Sequence, residues 1–189
     1  MGTSGALLVA QALAVAVAVA LALALWIVLR RAGRLIAETR QIDGFRRAID
    51  DLVERSATSL DGVTARIDAV RRHTLPAEAL AENLVAATDA VERYAEEARV
   101  LRGPRGSHEI RDALVGELER ASRALEMVEH GRSILTSARV GGRELEAQTA
   151  IKRGYLNLIH AREAMVRHAA RAAELEVSED VRWFQRRQT

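Results

Sequence analysis

Five histidines, His73, His108, His130, His160 and His168, are the side chains best suited to acid–base chemistry or metal ligation in this sequence. Metal centres in helical bundles combine Glu-x-x-His motifs with further glutamates on facing helices, and no Glu-x-x-His occurs here. The nearest substitutes are Glu126 with His130 and His160 with Glu163. Each pair shares one helix face and lacks a second matching set, so ordinary surface hydrogen bonds account for both. His168 falls on an apolar seam, where a lone histidine is either a satisfied structural residue or a pH- or metal-sensitive one.

Other chemistries fare no better. There is no Gly-Lys-Ser/Thr phosphate loop, no dinucleotide glycine fingerprint and no His-Glu-x-x-His zinc motif. Ser107 beside His108 is not a nucleophile and its base, because adjacent residues at a helix start point apart. The absence of cysteine excludes disulfides and thiolate catalysis. The sequence therefore predicts no enzyme and no cofactor. Its least repetitive stretch is 152–160, where Tyr155 and Asn157 are placed to fix helix register by hydrogen bonding.

The element that must position everything else is the run Ala6 to Leu29, uncharged and with Gln11 as its one polar side chain. As a helix it reaches about 36 Å, enough to cross a hydrocarbon core of about 30 Å. Its thirteen Leu, Val and Ile residues favour insertion by roughly 5 kcal/mol, with no charge opposing. Alanine alternates with Leu or Val from Ala12 to Leu25, but both sets are apolar, and a lone strand in lipid leaves its backbone unpaired. A helix is expected, on which Ala12, Ala16, Ala20 and Ala24 form a small-residue ridge that either admits a second helix or simply faces lipid.

Orientation follows from the flanks. Residues 1–5 are uncharged, Trp26 fits an interfacial anchor, and Arg30, Arg31 and Arg34 follow the run. The positive-inside rule then puts the N-terminus outside the inner membrane and the remainder in the cytoplasm. A cleaved signal peptide is the rival reading, weakened by the missing basic n-region and the length of the apolar segment.

The whole chain carries 28 basic and 26 acidic residues, all of them beyond position 29. Such a mixture suits solvated helix faces and argues against a nucleic-acid surface, which needs basic side chains clustered on one face. Lys152 is the sole lysine among those bases, and the Arg- and Ala-rich composition points to a GC-rich, bacterial genome.

Ala, Leu, Glu and Arg dominate the rest, and only Pro76 and Pro104 interrupt them, so the fold class is all-α. The spacing predicts a juxtamembrane helix over 30–73 and a bundle over 76–175, with helices at about 76–102, 107–139 and 143–175. In the juxtamembrane helix the apolar positions Leu35, Ile42, Phe45, Ile49 and Leu52 resume out of phase at Leu60, Val63, Ile67 and Val70. The phase slip at 56–62 is either a bend or a stutter. Short loops make sequential helices antiparallel neighbours, giving a three- or four-helix bundle, with Ser107 read as the N-cap of its third segment.

Folding about Gly141-Gly142 brings Gly131 level with Lys152 to Gly154, a close-approach pair if the two glycines face each other. The tail 176–189 leaves the heptad and carries Arg182, Trp183, Phe184, Arg186 and Arg187, which either dock on a partner or headgroups or fold back to add core volume. The expected whole is a single-pass scaffold or adaptor, with the lipid bilayer, an unidentified protein and a second copy of the chain as partners. Three rivals stand beside it: a sensory module signalling through the juxtamembrane helix, a helical metal-binding protein, and a membrane-surface remodeller.

Overall fold

The computed structural model describes residues 3–137 and 142–175; within the first helix the side chains of 3–18, 20, 34 and 35 lie outside that description. Four α-helices form: α1 (Thr3–Arg71), α2 (Ala81–Val100), α3 (His108–Thr136) and α4 (Glu144–Ala173). A 3-10 turn, Ala77–Leu80, begins after Pro76, whose φ of −70° is fixed by its ring. The chain divides into two units, one of them Ile42–Glu176 and the other including Met1–Gln41.

The unit Ile42–Glu176 is an antiparallel four-helix bundle. α2 packs on α3 and α3 on α4. Side chains of α1 reach α2 through Arg55 and Glu97 and α4 through Asp61 and Arg162, closing the ring. Each helix contributes its three-four stripe to one core, for example Leu52 and Ile67, Leu84 and Val91, Leu118 and Leu125, Ile151 and Leu158. The rest of the core is largely alanine, so the helices lie close and the interior holds few aromatics.

The phase slip in α1 resolves into a stutter inside an unbroken helix. Ile42, Phe45, Ile49, Leu52, Ser56, Leu60, Val63, Ile67 and Val70 are all buried, and Ser56 fills the seam position between the two apolar blocks. Its hydroxyl donates to the Leu52 carbonyl at 2.7 Å, which satisfies the one polar group placed there. Thr64 does the same with Leu60 at 2.6 Å.

The end of α1 is a Schellman motif. The Thr74 N–H donates to the Ala69 carbonyl at 2.9 Å and the His73 N–H to that of Val70 at 3.0 Å. The left-handed position is held by His73, φ 58°, where glycine is usual. A Cβ in that conformation costs roughly 1–2 kcal/mol, offset in part by glycine's greater chain entropy when unfolded. His73→Gly should therefore raise stability by about 1 kcal/mol, measured as an increase of roughly 2–4 °C in Tm; an unchanged or lower Tm would show that the imidazole contributes compensating contacts.

Among the described residues, no helix is long and apolar enough to cross a membrane, so the expected transmembrane segment is not shown. Of the run 6–29 only residues 19 and 21–29 have described side chains, and Arg30 and Arg31 follow at once. One expectation is corrected: the Ser107 side chain does not cap α3. It sits buried in helical geometry (φ −75°, ψ −14°), with its hydroxyl turned back to donate to the Pro104 carbonyl at 2.8 Å. The α2–α3 turn presses so closely on α1 that a Cβ on Gly103 would come within 2.7 Å of Phe45 Cδ2, and the inward-facing hydroxyl finds its acceptor inside the turn.

Candidate functional site

The most specific packing in the bundle lies between α3 and α4. A Cβ on Gly131 would stand 2.7 Å from the Ala147 carbonyl oxygen and 2.6 Å from Ile151 Cγ1. One on Gly154 would stand 2.6 Å from the Ala124 carbonyl oxygen and 2.7 Å from Val128 Cγ2. Both helices thus carry alanine, then a β-branched residue four positions on, then glycine three further: Ala124, Val128, Gly131 and Ala147, Ile151, Gly154. In an antiparallel pair that spacing lets each glycine receive the other helix's alanine and β-branched ridge. The glycines meet opposing backbone, not each other. With α3 ending at Thr136 and α4 starting at Glu144, Gly131 comes level with Ala147 to Ile151 instead of Lys152 to Gly154.

A second constellation surrounds the stutter. Arg55 of α1 makes a two-pronged pair with Glu97 of α2, Nη1 to Oε2 at 3.1 Å and Nη2 to Oε1 at 2.6 Å, and its guanidinium lies 5.3 Å from the Tyr94 ring centroid. The Glu97 hydrogen bond is the main reason the Arg55 proton is held more tightly than usual. One turn on, Ser59 shares a 3.0 Å hydrogen bond with the Tyr94 hydroxyl, and Asp61 pairs with Arg162 of α4. Residues 55–61 of α1 are in this way tied to both neighbouring helices. The sequence signal for this belt was the polar run beside the phase slip, but spacing within one helix does not name partners on the others.

At the base of the bundle Arg46 donates from Nε to the Ala172 carbonyl at 3.3 Å and from Nη2 to that of Leu175, satisfying acceptors at the end of α4. Arg71 stacks on Tyr155 at 4.4 Å and pairs with Asp68 at 2.8 Å. Asn157 points its amide at Met127 Sδ, 3.7 Å away.

The histidines do not converge. His73 in the α1–α2 turn, His108 and His130 towards the two ends of α3, and His160 on α4 are exposed, with His130 Nε2 3.7 Å from Glu146. Among the described residues no group of three or more His, Asp and Glu could hold a metal ion. His168 is half-buried on the α4 seam and its Nδ1 has no hydrogen-bond partner among the described residues. Burial lowers its pKa, an effect that Glu117 opposes and Arg171 and Arg167 reinforce.

The sign of the consequence is fixed. A histidine whose folded pKa is depressed binds its proton better when unfolded, so stability falls as pH drops through the unfolded value of about 6.5. His168→Gln should flatten the decline in Tm between pH 7 and pH 5.5. An identical decline in the variant would assign it to other groups.

In the other unit, the Arg30 guanidinium lies over the Trp26 ring at 4.9 Å, and Arg31 follows in the same helix. The side chain of Arg34, and the tail residues Arg182, Trp183, Phe184, Arg186 and Arg187, lie outside the described residues.

With this geometry in view, the class defined is an all-α, antiparallel four-helix bundle with a long first helix. Comparison with known protein families, with curated proteins and with solved structures finds no match in any of the three.

Proposed function

We propose that the protein is a single-pass, membrane-anchored scaffold or adaptor whose helical bundle stands on the cytoplasmic side and binds a partner protein or a second copy of itself. One observation carries the reading. Along the described part of the apolar run, side chains are exposed on every helix face, among them Leu21 (66%), Leu25 (60%), Trp26 (55%), Val28 (62%) and Leu29 (63%). A helix that is apolar all round requires an apolar surrounding, and the uncharged sequence from Ala6 onward extends it to the length a bilayer needs. Arg30 and Arg31 supply the charge asymmetry that sets orientation, and stacking of Arg30 on Trp26 suits an aromatic and cationic group at the headgroup level.

The bundle itself offers ion pairs, hydrogen bonds and close helix packing, with no convergent set of reactive groups among its described residues, which favours a binding role. Topology decides the anchor. Full-length protein in bacterial membranes should resist extraction at alkaline pH, and protease added to intact cells should leave the bundle whole. Release into the alkaline supernatant, or digestion of the bundle from outside, would overturn the placement.

A sensory reading is favoured by one feature, the polar belt at 55–61, which couples α1 to α2 and α4 where the seam changes phase. It predicts that neutralising Glu97 and Asp61 alters an output of the intact cell without altering membrane insertion.

A further inference from the structure

At the end of the bundle formed by the α1–α2 turn lies a cavity of about 640 Å³. That volume is within the range of small-molecule pockets. Its inner wall is apolar, built from Val70 and Ile151, both buried, with Leu75 and Leu135 partly covered beside them. The rim is polar and carries three basic side chains, Arg71, His73 and Lys152.

Those three are not equivalent. Arg71 is fixed in place by the Tyr155 ring and by Asp68, a carboxylate it shares with Arg72. Lys152 is exposed, makes no ion pair among the described residues, and is the one lysine in a chain that otherwise uses arginine for every permanent cation. His73 occupies a backbone conformation that glycine would fill with less strain, so the imidazole is kept at the rim against a local energetic preference. Of the two rim carboxylates, Glu144 accepts from Gln148 Nε2 at 3.2 Å within the rim itself, and Glu78 interacts electrostatically with Arg132 on α3.

We propose that this cavity binds a small amphipathic organic anion, an aromatic or short-chain carboxylate whose body rests on the Val70, Leu75 and Ile151 wall and whose carboxylate meets Lys152 and His73. Binding here is independent of the anchor, since every residue involved belongs to the unit Ile42–Glu176.

The test uses the full chain in a mild detergent, protein-free micelles as the reference, and 2-naphthoate as the probe, with 2-naphthol as its uncharged counterpart. Calorimetric titration should give saturable binding at one site per chain, with 2-naphthol at least tenfold weaker. Lys152→Gln should raise the Kd by about tenfold while leaving Tm unchanged, as expected for loss of one charge-assisted contact. His73→Gly should also weaken binding while Tm rises, a combination that a purely structural role for His73 does not produce. No saturable uptake above the micelle reference, equal affinity for 2-naphthol, or an unchanged Kd in Lys152→Gln would each overturn the proposal.

Discussion

Leucine in place of Gly154 should destabilise the protein by about 3 kcal/mol and lower its Tm by roughly 6–12 °C. The reason is what surrounds the site. The first added atom would already stand 2.6 Å from the Ala124 carbonyl oxygen and 3.2 Å from the Val128 amide nitrogen, and backbone cannot swing aside as a side-chain end can. Alanine is the sharper probe because two effects oppose each other. Replacing an interior helical glycine by alanine normally gains about 1 kcal/mol in helix propensity. At Gly154 and Gly131 the steric penalty outweighs that gain, and both alanine variants should melt below the parent. At Gly116, in the same α3 helix, an added Cβ would meet nothing within 4 Å, so Gly116→Ala should melt higher. A common sign for all three alanine variants in thermal denaturation would contradict the notched packing of α3 on α4.

Phe45→Ala should cost about 3–5 kcal/mol, which is comparable to the loss from any single large-to-small change in a core. Phe45 is 2% exposed in a chain with only two phenylalanines, two tyrosines and two tryptophans. Its neighbours in the bundle core are largely alanine and aliphatic, too short to collapse into the space a phenyl ring would leave. The α2–α3 turn also rests on it at Gly103, so truncation should loosen that turn as well as the α1 seam. Chemical denaturation gives the first effect, and faster amide exchange at residues 101–107 gives the second. A loss below 1 kcal/mol would mean that the turn is supported by something other than this ring.

The all-α class and most of the core were legible because three-four spacing is a direct record of which helix face is covered. Leu114, Leu118, Ala121, Leu125 and Val128 on α3, and Ala147, Ile151, Leu158 and Ala161 on α4, are buried where periodicity puts them. The stutter was visible as a gap, but Ser56 could not be recognised as a core residue by an apolar pattern, since its hydroxyl is satisfied within its own turn. The α3–α4 register was missed by about three residues because it depends on where the helices stop, and helix ends are set by local capping that spacing does not report. The left-handed His73 was illegible for a related reason: the usual glycine or asparagine signal for that position is missing. The interhelical belt of Arg55, Ser59 and Asp61 was unreadable in principle, because its partners lie 35 to 42 positions away on α2 and farther still on α4.

The belt also determines how α1 answers a mechanical load. Greasy seams slide easily along their length, whereas directed bonds resist displacement, and those linking α1 laterally to Glu97, Tyr94 and Arg162 are gathered within two helical turns. Tension drawn along α1 from its amino-terminal side would be borne in shear first by the Arg46 bonds to the end of α4 and then at that level. In a single-molecule pulling experiment with the handle at Ile36, neutralising Glu97 and Asp61 together should reduce the rupture force, and an unaltered force would place the resistance in the apolar seam.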